Sequence, residues 1–365
     1  MRPGTAWIRL QLVSFTQLIR PIGIVVKSLA EFISQLLSAW EGFCRSSSVL
    51  RFIDINLRGA GQVMFQNNPL SGLLFLLALC WGAFVAGMIH VAVGGVLALV
   101  SASCAGWWFR ADQSALRSGL LGYNGVLTGL ALTYFLSPGA ATFLYATFGG
   151  AVTALLMLGP VNADKPWRVA AHTYAFILTT WIFLLASQGF HAIPGVETMP
   201  EQVKFPAVDA PLPAARGLRE FLVALLNSIS QIYFKADALS ALLIVAGLAV
   251  SSIAAAAFAL LGAFIAVLTA HAFGVESLLI SSGIQGFSPV LVAIAFGTVF
   301  YPRRTVRIWL LAGIATIVAV VAQSALHTLL DPLALPALSA PFDLVAWMLF
   351  LNGEHFDPPG STASA

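Results

Sequence analysis

Charge is what this 365-residue chain has least of: 9% of its residues are Asp, Glu, Lys or Arg, against 59% hydrophobic. Soluble domains carry about 25% charged residues. A mean hydropathy of +0.90 therefore excludes a soluble globular enzyme and points to an integral membrane protein. Cysteine is scarce too. Cys44, Cys80 and Cys104 are an odd, scattered set, without metal-ligand spacing or a disulfide framework, and Cys80 and Cys104 read as small apolar side chains in spans. No P-loop, GxGxxG, HExxH or Ser-His-Asp context appears, so enzymatic chemistry has nothing to stand on and no cofactor or metal is called for. The net charge of +3 is too small to require a nucleic-acid partner.

What is present is apolar length. Runs near 72–88, 91–109, 140–160 and 169–187 approach the roughly 20 residues that cross a bilayer. A shorter third stretch, 125–136, follows the glycine-rich lead-in GLLGYNG at 119–125. The second half repeats this plan near 239–258, 259–274, 288–301, 305–326 and 339–351. Ahead of each set lies a segment too polar and short to span, 52–68 and 221–236, read as re-entrant or packed inside protein.

The resulting organisation is an N-terminal cytoplasmic or interfacial segment 1–50, a first membrane repeat 51–187, a proline-rich linker 188–216, a second repeat 217–351 and a flexible tail 352–365. Trp7 to Val26 is apolar and basic but lacks a convincing cleavage site, which favours a surface-lying or packed helix over a removed signal peptide.

Basic residues orient the chain. Seven of the 18 Lys and Arg fall in residues 1–60, which puts the N-terminus in the cytoplasm. The loops 110–117, 161–168 and 301–307 then face inward and carry Arg110, Arg117, Lys165, Arg168, Arg303, Arg304 and Arg307. The outward loops 137–139, 275–282 and 327–337 carry no Lys or Arg. Five spans per half is an odd number, so the second half enters the membrane upside down. The expected fold is all-α: two inverted five-helix repeats with re-entrant half-helices, about ten transmembrane helices, and a substrate site between the repeats near the midplane.

Three pairs of segments recur at nearly one offset. Gly61–Leu74 and Ser230–Leu243 share six of fourteen residues, among them Gln62/Gln231 and Phe65/Phe234, at an offset of 169. GLLGYNGVLTGLAL (119–132) and GIQGFSPVLVAIAF (283–296) share five of fourteen and set Tyr123 and Leu127 on Phe287 and Leu291, offset 164. HTYAFILTTW (172–181) and LSAPFDLVAW (338–347) set Thr173 on Ser339, Phe176 on Phe342 and Trp181 on Trp347, offset 166.

On helical geometry Gln62 and Phe65 are i, i+3 neighbours, and Tyr123/Leu127 and Phe287/Leu291 are i, i+4 pairs, so each pair shares a face. An amide beside an aromatic plane, made twice, suits a small flat polar solute. Thr173 and Ser339 add one hydroxyl per half, each both donor and acceptor.

Each feature also has a plain reading. An aromatic at helical spacing in a bundle is usually packing, a lone threonine usually bonds back to its own helix, and membrane glycines serve close packing. Recurrence beside a paired amide is what lifts Phe65 and Phe234 above that background. His172, His271 and His327 lie in or near apolar segments, but none recurs at the repeat offset. Asp343, opposite Ile177 in the repeat, is a charge in an apolar stretch, with a functional and a structural reading both open.

With these residues in hand, the chain resembles the urea transporter family, which includes bacterial urea channels and animal urea transporters. LRGAGQVMFQNNPLSGLL, GLLGYNGVLTGLAL and the T-x-x-F-x-L-T-T-W pattern at 173–181 carry the resemblance, which covers about 50–351. It implies ten transmembrane helices in two inverted halves, a homotrimer, and a urea pore in each protomer. It also implies a pore lined by Gln62, Phe65, Tyr123, Leu127, Thr173, Gln231, Phe234, Phe287, Leu291 and Ser339.

Gln231 stands where many members have Glu, Ser339 where Thr is usual, and Lys-Ala-Asp at 235–237 departs from the first copy's Gln-Asn-Asn. Passive urea flow follows, through a lining without charge in either copy, in a protein of the cell membrane, the inner membrane in a bacterium, with both termini cytoplasmic. The competing readings are an ammonium channel built on His172 and His327, a channel for a related short amide, and a membrane protein that has lost transport.

Overall fold

The computed structural model describes residues 28, 30–162, 173–196, 217–301 and 305–350. The apolar–basic stretch at the N-terminus, His172, most of the linker and the C-terminal tail lie outside the described residues. The chain divides into two compact units, Met1–Ile53 and Asp54–Ala365. In the first, residues 30–46 are helical, and Arg51 Nε donates to the Cys44 carbonyl at 3.4 Å.

The second unit is helical, and among the described residues its β-structure is one isolated bridge, Leu136 to Gly195. Its elements run in order as α1 (Ser48–Gln62, begun in the first unit), α2 (Pro69–Val85), α3 (Ile89–Trp108), α4 (Gln113–Arg117), α5 (Gly122–Phe135), α6 (Ala140–Asn162) and α7 (Tyr174–Ser187). The order then starts over: α8 (Leu218–Ser230), α9 (Ala238–Ser251), α10 (Ile253–Ala272), α11 (Ser277–Ser281), α12 (Phe287–Ile294) with a π-helical extension Ala295–Val299, α13 (Val306–Leu330) and α14 (Ala340–Phe350).

Each of the ten apolar stretches read from sequence holds a helix. Among the described residues four helices are long and apolar enough to cross a membrane: Ile89–Trp108, Ala140–Gly159, Ile253–Ala272 and Val306–Leu333. Leu218–Tyr233 and Ala238–Ser251 form a pair bent by 72°, and Pro69–Val85, Tyr174–Ser187, Phe287–Val299 and Ala340–Leu349 are shorter apolar helices.

Local chemistry explains the breaks. Before α2, Asn68 is extended (φ −143°) and its side chain accepts from the Leu70 amide at 2.9 Å, with Pro69 pre-set for the first helical position. Asp237, one offset of 169 later, repeats the cap by accepting from the Ser240 amide at 2.7 Å. The Lys-Ala-Asp departure therefore keeps the helix start. Sequence placed the α9–α10 division at 258/259; the chain turns instead at Ser252, whose hydroxyl accepts from the Ala255 amide at 3.2 Å. An apolar run carries no mark of such a cap except the Ser251-Ser252 pair itself.

Gly119 and Gly283 occupy the same place in the two halves, at φ +75° and +82°. A Cβ on Gly119 would strike the backbone of Arg58 and Gly59, and one on Gly283 the backbone of Asn227 and Ser228. Glycine is required there for both conformation and space.

The helices α2 and α9 exchange hydrogen bonds. Ser71 Oγ donates to the Gly247 carbonyl at 2.6 Å, and Ser240 Oγ donates to the Ala78 carbonyl at 2.9 Å. Each donor and each acceptor is the other's counterpart at offset 169. Outward faces are strongly apolar, with Leu144, Phe148, Ile182, Phe264 and Leu310 exposed, as a lipid-facing surface requires. Cys80 and Cys104 lie on these outward faces and not in the packed interior, among exposed Leu77, Trp81, Trp107 and Trp108. The interior prefers smaller residues where helices touch: a Cβ on Gly129 would collide with the Gly94 carbonyl.

Candidate functional site

The site begins where α7 and α14 start. Thr173 precedes α7 and Ser339 precedes α14, and the structure brings them together across 166 residues. Ser339 Oγ donates to Thr173 Oγ1 at 2.7 Å. Thr173 in turn donates from its hydroxyl to Asp343 Oδ1 at 3.1 Å, and its backbone N–H reaches the same oxygen at 3.1 Å. The two hydroxyls singled out by sequence thus form one directed chain, Ser339 to Thr173 to Asp343. All three side chains are buried, at 3%, 4% and 3% exposure. Asp343 Oδ2 has no hydrogen-bond partner among the described residues.

Ser339 forms the floor of a cavity of about 110 Å³. About 10–15 Å³ holds one water, so the space takes several water-sized molecules or a small solute. Of the sequence-derived set, Leu127, Gln231, Phe234, Phe287, Leu291 and Ser339 line it. Its open end is marked by exposed Asp331, and its deep end by buried Leu127, Leu291 and Ser339. The walls are aromatic and aliphatic. Phe234 sits 5.5 Å from Tyr134 and 6.3 Å from Phe135, the latter edge-on at 82°.

The remaining four predicted residues are not on this cavity. Thr173 lies behind Ser339. Tyr123 is buried, and Phe65 packs on Phe342 with ring centroids 5.8 Å apart. Gln62 donates its amide to the Ser118 carbonyl at 2.9 Å, tying the end of α1 to the turn before α5. Of the predicted residues the cavity therefore gathers the second half's amide, aromatic and aliphatic groups and Leu127 of the first, and Val63, Tyr134, Phe135 and Phe176 join them from the first half.

Two expectations need correction. Gln62 and Phe65 do not share a helical face: α1 ends at Gln62, and Phe65 lies in the left-handed region at φ +63°. Phe234 is its counterpart at φ +59°, closing a 3₁₀ turn over Gln231–Tyr233. A non-glycine residue held there costs about 1–3 kcal/mol and is found where the surroundings fix it for a purpose. The second correction concerns charge. The lining includes Asp331, and the Asp343 carboxyl sits directly behind the hydroxyl pair. Asp343 stands out in the sequence as a charge in an apolar stretch; what the structure adds is its contact with Thr173, in one half only, since its repeat partner is Ile177.

Sequence reasoning did not place Val63, Tyr134, Ile284 or Gln323 on the cavity. Phe176, also lining it, had a signal in its recurrence at Phe342. His327 lines the mouth. The pairing with His172 that an ammonium reading needs lies outside the described residues, and His271 is exposed at the end of α10.

An all-helical unit with a lipid-facing apolar exterior and a narrow cavity, aromatic on its walls and hydroxylic at its floor, defines an integral membrane protein that can admit a small polar solute. Its relatives agree. The chain belongs to the urea transporter family, whose match covers residues 53–354. It is similar to Urea transporter 1 of Rattus norvegicus, 27% identical over 315 residues, covering 83% of this chain and 77% of the relative. Urea transporter 1 of Ovis aries is 26% identical over 312 residues with the same coverage, and that of Mus musculus 27% identical over 315.

Proposed function

We propose that the protein passes urea across the cell membrane, passively, through a pore between two inverted five-helix repeats. The observation that carries this reading is the contact of Thr173 with Ser339 at the floor of an aromatic-walled cavity, within a chain of the urea transporter family. Urea is planar and neutral. Its faces lie against Phe234 and Phe287, and its N–H and C=O edges meet Gln231 and the hydroxyls. One such group left unpaired in a dry passage costs about 1–3 kcal/mol, so the lining must replace water at each step yet bind weakly enough to release.

Gln62, Phe65 and Tyr123 form the matching station of the first half, on the far side of Thr173 and Ser339, with Leu127 reaching the second-half cavity wall. The exchanged bonds Ser71–Gly247 and Ser240–Ala78 support a two-fold relation between the repeats. Ten helices cross, the short ones meeting the broken ends of α1–α2 and α8–α9. Residues 51–187 and 217–351 are the repeats, 188–216 the linker, and 1–50 and 352–365 cytoplasmic ends, as the inward basic loops favour. The family resemblance supports a homotrimer with one pore per protomer. Labelled urea uptake into proteoliposomes, against labelled methylammonium, tests the reading: urea enters, methylammonium does not, and neither a Na⁺ gradient nor a proton ionophore alters urea entry. Collapse of flux with either gradient, or methylammonium uptake alone, overturns it.

A further inference from the structure

One face of α13 presents Gln323 and His327, four residues apart, and Asp331, four further on, caps the helix C-terminus; all three line the cavity from its buried interior to its exposed end. Gln323 is 0% exposed. Its Nε2 lies 3.0 Å from His327 Nε2. In this arrangement the Gln323 amide N–H donates and His327 accepts on Nε2, as the tautomer that carries its proton on Nδ1. That orientation leaves Gln323 Oε1 without a hydrogen-bond partner among the described residues. A buried acceptor left so keeps the whole cost of its lost hydration. It is tolerated where something else satisfies it.

The repeat sharpens the point. At offsets of 166 or 164 the first half carries Met157 or Gly159 opposite Gln323, and Val161 or Ala163 opposite His327. This polar ladder belongs to one mouth only, and so falls outside every feature that recurs between the halves.

We propose that Gln323 is a solute-binding residue of the second-half mouth, accepting an N–H of the solute on Oε1, with His327 as its positioning residue. The inference rests on the reading of the cavity as a urea path and adds to it an asymmetry. A solute entering from the Asp331 end meets this acceptor on its own side of the Ser339–Thr173 contact, and one entering from the other end reaches it only after passing that contact. The ligand class is a small neutral molecule with a free N–H₂ edge: urea or a primary amide.

The test uses full-length protein in vesicles of fixed orientation, with initial urea influx measured from each side against urea concentration. Gln323→Leu keeps the bulk and removes the acceptor. The expected result is a rise of about threefold to tenfold in the half-saturating concentration from the Asp331 side, with that from the opposite side changed less than twofold. His327→Phe, which frees the amide to turn, should give a smaller rise with the same sidedness. Equal changes from both sides, or none from either, overturn the proposal. Sidedness also excludes general loss of folding, which would lower flux from both sides together. Absence of urea flux in the unmodified protein would instead refute the urea path itself, so the two failures are distinguishable.

Discussion

Thr173→Val is the most informative single change. It keeps the shape of the side chain and deletes the hydroxyl between Ser339 and Asp343. Ser339 then loses its acceptor at 2.7 Å, and Asp343 Oδ1 keeps only the Thr173 backbone N–H at 3.1 Å. A neutral hydrogen bond is worth about 0.5–1.5 kcal/mol and one to a charged group about 1.5–3. Within membranes, measured couplings run lower, near 0.6 and at most about 1.7 kcal/mol.

A destabilisation of about 1–3 kcal/mol is expected, more than a hydroxyl bonded only to its own helix would give. The assay is a double-mutant cycle of Thr173→Val and Ser339→Ala, read by unfolding in mixed micelles. The coupling should be about 0.6–1.5 kcal/mol. Stopped-flow light scattering on proteoliposomes reads the same variants for urea. If about 1 kcal/mol of the lost interaction is made at the barrier, permeability falls roughly fivefold. Strict additivity together with unchanged urea flux would refute the reasoning and leave the aromatic walls as the sole selective element.

Three other outcomes are expected. Gly119→Ala or Gly283→Ala should abolish folded protein in detergent gel filtration, whereas Gly87→Ala, at φ +67° but with no atom within 4 Å of the new Cβ, should cost only about 1–2 kcal/mol and leave a folded peak. Lys235→Met should raise the unfolding midpoint, because Lys235 is 4% exposed and its ammonium has no hydrogen-bond partner among the described residues beyond the Tyr134 ring 5.8 Å away. Gln62→Leu should lower both urea permeability and stability, the latter by about 1 kcal/mol from the bond to Ser118.

Much of the design is legible because it is written twice. Thr173 and Ser339 pair in the amino-acid sequence alone, since their surroundings, Phe176/Phe342 and Trp181/Trp347, repeat with them. Phe234, Phe287 and Leu291 emerge by the same route, and all three line the cavity. What the repeat does not duplicate is harder to assign. Asp343 and His327 stand out as polar residues in apolar stretches, but apolar counterparts in the other half give them no role, and Gln323 carries no mark at all. Backbone conformation is hidden for another reason. The left-handed turns at Phe65 and Phe234 close the helices that precede them, with Phe65 N–H on the Gln62 carbonyl at 3.0 Å, Gln66 N–H on the Gly61 carbonyl at 3.0 Å and Phe234 N–H on the Gln231 carbonyl at 2.9 Å; phenylalanine where glycine is usual gives periodicity no mark of the cap.

The exchanged serine bonds between α2 and α9 carry a mechanical implication. Ser71 grips α9 and Ser240 grips α2, while Tyr233 Oη reaches the Ala60 carbonyl at 2.8 Å and Trp181 Nε1 the Pro336 carbonyl at 2.9 Å. With Ser339 on Thr173, the halves are stitched at five places by buried or half-buried donors. A carrier that rocked one half against the other would have to break several of these stitches in every turnover, away from water that could replace them. The joint behaves as a weld and not as a hinge. Its kinetic signature is the absence of trans-acceleration: urea waiting on the far side should not hasten labelled urea crossing from the near one, because no return stroke of an empty carrier exists to be hurried.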